Sequence, residues 1–213
     1  MKRRLFAAAA LCIPVLALPL LSTPAWGDAT ATASGVTTGQ AAPDFTLTDT
    51  HGVAHSLSDF AGKTVVLEWT NPSCPFVKKF YGGDTMQGWQ TEAQAAGTVW
   101  LSISSSAPGK QGHMSPGEWN AHIADTGIAS AAVLIDEDGT VGKRYAAKTT
   151  PHIYVIDAAG VLRYQGAIDS IKSTDADDIS NATNYLVAAL TAIADGSDVE
   201  VTDTKPYGCS VKY

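Results

Sequence analysis

Cysteine is scarce in this chain: three in 213 residues, at Cys12, Cys74 and Cys209. A fold stapled by several disulfides is excluded, and once the N-terminal segment is set aside only one intramolecular bridge can form. Cations are few as well, 14 Lys and Arg against 21 Asp and Glu, for a net charge of −7. An acidic chain lacks the electrostatic footprint of a nucleic-acid partner or of an anionic membrane surface. There is no internal repeat, and the loop Ser104–Gly112, with its glycines and lysine, lacks phosphate-loop spacing. The histidines and methionines are dispersed (His51 and His55, His113 and Met114, His122, His152) with no metal-ligand spacing, so neither a metal nor a cofactor is expected.

The long apolar run is N-terminal. Lys2-Arg3-Arg4 precedes Leu5 through Leu21, which Pro14 and Pro19 interrupt, and Ala25-Trp26-Gly27 supplies small residues for cleavage. Residues 1–27 therefore read as a secretory signal peptide, cut after Gly27, with no stable membrane anchor afterwards and a periplasmic or secreted product. Cys12 follows Leu11 rather than a small residue, which argues against lipid modification. Cleavage removes three basic residues and no acidic one, so the net charge becomes −10. Residues 28–41 are small and polar and read as a flexible lead-in.

The remaining length suits one domain, residues 42–195, followed by a polar tail, 196–213, that carries Cys209. Ordered structure is expected to begin near Pro43, where alternation through Asp49 predicts a strand that turns at His51-Gly52 into a second. Lys63–Trp69 reads as a central strand, apolar on both faces apart from Glu68. A helix is expected from Cys74 to about Gln90, broken at Gly82-Gly83, and then a strand at 98–103. Ser115-Pro116-Gly117-Glu118 is a capping box that predicts a helix over about 116–126. A strand at 132–136, a short helix near 141–145, a hairpin at 152–166 and a last helix over 180–195 complete an α/β layout with a central mixed β-sheet flanked by helices and an N-terminal β-hairpin.

The chemistry points to Cys74. It stands in Trp69-Thr70-Asn71-Pro72-Ser73-Cys74-Pro75-Phe76-Val77, where an apolar strand passes through a Pro-bracketed turn to a helix start. Unpaired N–H groups there favour thiolate over thiol, and the thiolate is the nucleophile.

The stretches Ala42-Pro43-Asp44-Phe45, Leu57-Ser58-Asp59-Phe60, Val65–Val77 and Thr150-Pro151-His152-Ile153-Tyr154-Val155-Ile156-Asp157 resemble, in that order, the redoxin (AhpC/TSA, peroxiredoxin-like) family of thioredoxin-like proteins. The resemblance implies a thioredoxin-like fold and thiol-dependent oxidoreduction, with Cys74 as the attacking residue. It implies a cis Thr150-Pro151 bond that faces the cysteine and leaves the preceding backbone free for a substrate peptide. Pro75 and Phe76 join Thr150 and Pro151 in the implied substrate-contacting set. Glu68, six residues before the cysteine, matches a buried acid that moves a proton to or from sulfur.

The departures are specific. Val77 stands where a Cys-x-x-Cys motif has its second cysteine, and Asn71 and Leu67 replace the Thr and Pro typical of peroxiredoxins. Asn71 is then the hydrogen-bond donor in a peroxide site, with Arg144 or Arg163 as the cation. Cys209 is expected to resolve the intermediate on Cys74 by swinging in on its glycine-containing tail. The partner is a protein thiol or disulfide, or a hydroperoxide, with an external reductant closing the cycle. The alternative is a non-catalytic binding module in which Cys74 and Cys209 form a structural disulfide.

Overall fold

The computed structural model describes residues 35–213. The expected signal peptide, residues 1–27, and residues 28–34 of the expected lead-in lie outside the described residues. The chain is hydrogen-bonded before the expected start near Pro43: the amide of Gly39 donates to Leu162 O at 2.8 Å and that of Ala42 to Gly160 O at 2.9 Å.

Seven strands form one mixed sheet in the order β2-β1-β5-β4-β3-β7-β8: β1 (Thr46–Asp49), β2 (Ala54–Ser56), β3 (Val65–Trp69), β4 (Val99–Ser104), β5 (Ala132–Ile135), β7 (His152–Ile156) and β8 (Leu162–Gly166). β1 and β2 are the expected N-terminal hairpin. The central strand β3 runs parallel to β4 and antiparallel to β7, with Trp69 opposite both Ile103 and His152. All five β3 residues are buried, as a strand with helices on both sides requires. Val65, Leu67 and Trp69 pack into one core layer with Phe45, Leu57, Tyr145 and Tyr154. Val66 enters the other with Phe80, Met86, Trp100 and Leu186.

The helices are α1 (Pro75–Tyr81), α2 (Thr85–Ala95), α3 (Pro116–Thr126), α4 (Thr140–Arg144) and α5 (Tyr185–Ala194). The break between α1 and α2 falls at Gly82 and Gly83, as the sequence predicts. α3 opens on its capping box, Ser115 Oγ accepting from Glu118 N at 3.3 Å and Glu118 Oε2 from Ser115 N at 2.7 Å. Residues 176–181 form a separate 3-10 turn, so the last helix, expected from residue 180, begins at Tyr185.

The tail departs most from expectation. It does not wait to swing: it is docked along its length. Thr204 N donates to Gln165 O at 3.0 Å, and Thr204 Oγ1 accepts from Ala167 N at 2.9 Å. Farther on, β9 (Cys209–Ser210) pairs antiparallel with β6 (Thr149–Thr150), setting Cys209 opposite Thr150. Tyr213 ends the chain with its hydroxyl on Ala147 O at 2.9 Å.

Candidate active site

β3 delivers the chain to the turn that carries Cys74. Thr70 N still follows the sheet, donating to Ile103 O at 3.0 Å. Asn71 then closes the turn. Its Oδ1 accepts from Ser73 N at 2.9 Å, its carbonyl accepts from Cys74 N at 2.9 Å, and its Nδ2 donates to Gln111 O at 3.1 Å. That last bond fastens the Ser104–Met114 loop over the turn, where a Cβ on Gly112 would lie 2.1 Å from Asn71 Oδ1. Cys74 is the N-cap of α1, with Pro75 at the first helical position, where a missing N–H does no harm.

The Cys74 sulfur is buried, 0% exposed, and donates to Thr150 O at 3.0 Å. The Thr150–Pro151 bond is cis, as the resemblance implied. The Thr150 hydroxyl is buried without a hydrogen-bond partner in the resting arrangement. Burial pushes the Cys74 pKa up, but hydrogen bonding to its thiolate from Cys209 and Val77 N outweighs it, and the net shift is downward. Cys209 moves the opposite way, to about 11, through burial, its hydrogen bond to Cys74 and repulsion from the charge there. Both cysteines are free thiols. The arrangement is a pair of neighbouring thiols in which Cys74 ionises first and Cys209 keeps its proton.

The other expected residues divide. Thr150 and Pro151 are buried beside Cys74, and Pro75 is exposed at the helix start. Phe76 is covered by the tail, its ring edge-on to Tyr207 with centroids 5.8 Å apart. Glu68 is buried among its own donors: Trp100 Nε1 and Tyr81 OH at 2.9 Å, Ser102 Oγ at 3.3 Å and Gln90 Nε2 at 3.4 Å. Burial raises its pKa in spite of them. Among the described residues no hydrogen bond links Glu68 to either sulfur. Asn71 likewise has both side-chain polar atoms committed, Oδ1 within the turn and Nδ2 to the Gln111 carbonyl of the loop. Arg144 Nη1 is held by Asp44 O and Arg163 Nε by Asp157 Oδ2, each at 2.6 Å. Asp157 follows Ile156, which pairs with Val65 at the end of β3 remote from Cys74, so Arg163 does not reach the thiols.

Sequence reasoning missed the tail's anchor. Lys79 on α1 is buried, and its Nζ lies 2.9 Å from Asp169 Oδ2 and 3.1 Å from Ile171 O. Asp169 Oδ1 accepts from the Tyr207 hydroxyl. The available signal was Lys79 itself, a charge beside Phe80 on the inward face of α1. His152, next to Pro151, is buried and neutral, its pKa lowered to about 3 by burial and by Lys148. Among the described residues no three His, Cys, Asp or Glu side chains converge on a metal position.

A mixed sheet of this order, with a cysteine at the first helix start facing a cis-proline loop, defines a thioredoxin-like protein. The AhpC/TSA family profile matches residues 38–165, and the chain belongs to that family of thiol-based redox proteins. Its fold is similar to that of an uncharacterised conserved protein from Geobacillus kaustophilus: TM-score 0.70, 23% identity, covering 93% of this chain and 98% of that one. A hypothetical protein from Sinorhizobium meliloti 1021 gives 0.68 at 24% identity, covering 84% and 96%. A Chlorobium tepidum protein provisionally described as the thiol:disulfide interchange protein DsbE gives 0.54 at 22%, covering 73% and 99%. A search among curated proteins returns no significant match.

Proposed function

We propose that this protein is an exported thiol-disulfide oxidoreductase whose working pair is Cys74 and Cys209, acting on protein disulfides in the periplasm or outside the cell. The observation that carries the reading is the β6–β9 pairing, which sets Cys209 opposite the residue whose carbonyl holds the Cys74 thiol. The basic and apolar N-terminus supports export.

The Cys74 thiolate attacks one sulfur of a partner disulfide; a Cys74–sulfur bond forms, the partner's S–S bond breaks, and the freed thiolate takes a proton. With Cys74 in a mixed disulfide its negative charge is gone, and with it the repulsion that helped keep Cys209 protonated. Cys209 loses its proton to solvent and attacks the Cys74 sulfur; the Cys74–Cys209 bond forms and the second partner thiolate leaves. The partner has gained two electrons, and an external dithiol restores the enzyme. Asn71 acts by fixing the turn that holds Cys74, and Glu68 by tying α1 and α2 to the sheet; both are positioning residues. Disulfide exchange is favoured over peroxide reduction because Asn71 and both arginines are bonded elsewhere.

The second reading, a scaffold stapled by the same two cysteines, draws on the burial of Cys74. A dithiothreitol/glutathione titration separates the two. A potential in the range of about −120 to −270 mV, with Cys209→Ser folded but inactive on a disulfide-linked peptide, is expected of the enzyme. A potential below about −300 mV, with no turnover to lose, would leave the staple.

A further inference from the structure

In the resting protein Cys74 is sealed while Cys209 is partly exposed. The tail lies across the residue whose carbonyl holds the Cys74 thiol. β6 is a two-residue strand, and its edge is filled by β9. The fit is close: Gly208 has φ +146°, and a Cβ there would stand 2.1 Å from Thr150 O, the same carbonyl that accepts from Cys74. Only glycine fits in front of Cys209 in this register.

The strand is held on both sides by contacts that involve no sulfur. Before it, the Tyr207 hydroxyl donates to Asp169, which Lys79 pairs at 2.9 Å, and the Tyr207 ring meets Phe76. After it, Val211 N donates to Lys148 O at 3.1 Å, and Lys212 O accepts from Ala107 N at 2.8 Å. Docking of the tail is therefore independent of a bond between the cysteines.

An exposed strand edge binds an extended peptide through main-chain hydrogen bonds, in a register set by which side chains fit. We propose that Gly208-Cys209-Ser210 is a built-in competitor for an extended, cysteine-bearing partner polypeptide. It occupies the β6 edge in the register that presents a sulfur to Cys74, so a partner disulfide reaches Cys74 only by displacing it. The same geometry sets a specificity: a partner in that register carries glycine immediately before its cysteine. The tail thus does two things in turn, excluding partners while docked and resolving the mixed disulfide on return. This inference rests on the dithiol reading.

The test uses the full-length protein and the rate at which iodoacetamide modifies Cys74, mapped by mass, on the plateau above the Cys74 titration so that its pKa does not enter. Gly208→Ala drives a methyl into Thr150 O, and Tyr207→Phe removes the bond to Asp169 while both cysteines stay. Gly208→Ala is expected to speed modification about tenfold or more, since a protected group reacts through local opening, with a smaller rise for Tyr207→Phe. A Tyr207–Tyr213 peptide carrying Cys209→Ser, added to the Gly208→Ala protein, should restore protection saturably. The same peptide with Gly208→Ala should not. An unchanged plateau rate in Gly208→Ala overturns the proposal, as does equal protection by the two peptides. If Gly208→Ala fails to fold, Tyr207→Phe decides by the same rate. Alkylation needs no turnover, so failure of the dithiol reading would appear separately, in the redox titration.

Discussion

His152 follows Pro151 and stands two residues after the Thr150 whose carbonyl holds the Cys74 thiol, yet it carries no charge near neutral pH. It is 4% exposed, its Nδ1 accepts from Lys148 N at 3.3 Å and lies 3.1 Å from the Tyr154 hydroxyl, and its pKa is lowered to about 3. It therefore offers no imidazolium to the Cys74 thiolate. Its cost appears in acid. Between about pH 6.5, where an unfolded histidine takes a proton, and about pH 3, where the folded one does, the unfolded chain binds the extra proton and stability falls as pH falls. His152→Gln removes that term. The variant is expected to be less stable than wild type at pH 7.5, having lost a packed ring, and to recover about 3 kcal/mol of the difference by pH 4.5. Urea unfolding at the two pH values measures this; a difference that stays constant would show that His152 is not buried in its neutral form.

Glu68 shows what the elements contribute. One carboxylate gathers Trp100 and Ser102 from β4, Tyr81 from α1 and Gln90 from α2, and so holds the helix that carries Cys74 against the sheet. Replacing it by alanine strands those donors in the core, which should lower stability by about 3–5 kcal/mol. The pH profile of Cys74 alkylation should stay where it is, because the Glu68 carboxylate is bonded to Tyr81, Gln90, Trp100 and Ser102 and to neither sulfur. A profile moved by a full unit would instead make Glu68 part of the proton path. The spacing that marked Glu68 was thus legible in the sequence, while its partners were not: Tyr81 and Gln90 meet it only after α1 and α2 fold back on β3. The same division runs through the fold. Strand β3, the Gly82-Gly83 break and the Ser115 capping box are written in neighbouring residues and were readable. The two-residue pairing of Thr149–Thr150 with Cys209–Ser210 has no period to read, and Lys79 and Asp169 become an anchor only through Tyr207.

Across the whole molecule, the loop that a Cys74–Cys209 bond closes spans most of the domain, and in the chain-entropy model such a closure adds about 5 kcal/mol to stability. The reduced protein offsets part of this. Its tail is docked without the bond, and its folded state favours the Cys74 thiolate. A depressed thiol pKa contributes stability that is complete above the unfolded value, about 8.5, and is lost as pH falls through the folded one. Cys209 has the opposite sign: with its pKa raised to about 11, its contribution is complete below the unfolded value and is lost as pH rises toward 11. The oxidised protein has neither thiol to titrate. The stability gap between oxidised and reduced forms should therefore be narrowest near pH 8.5 and widen on both sides, staying below about 5 kcal/mol at the minimum. Urea unfolding of both forms at pH 6, 8.5 and 10.5 (roughly bracketing the free-thiol value) measures it. Because that gap equals the difference in disulfide potential between folded and unfolded chains, a narrow gap means a bond the fold can give up. A gap of the full chain-entropy size, flat with pH, would mean that the fold treats the two sulfurs as a staple.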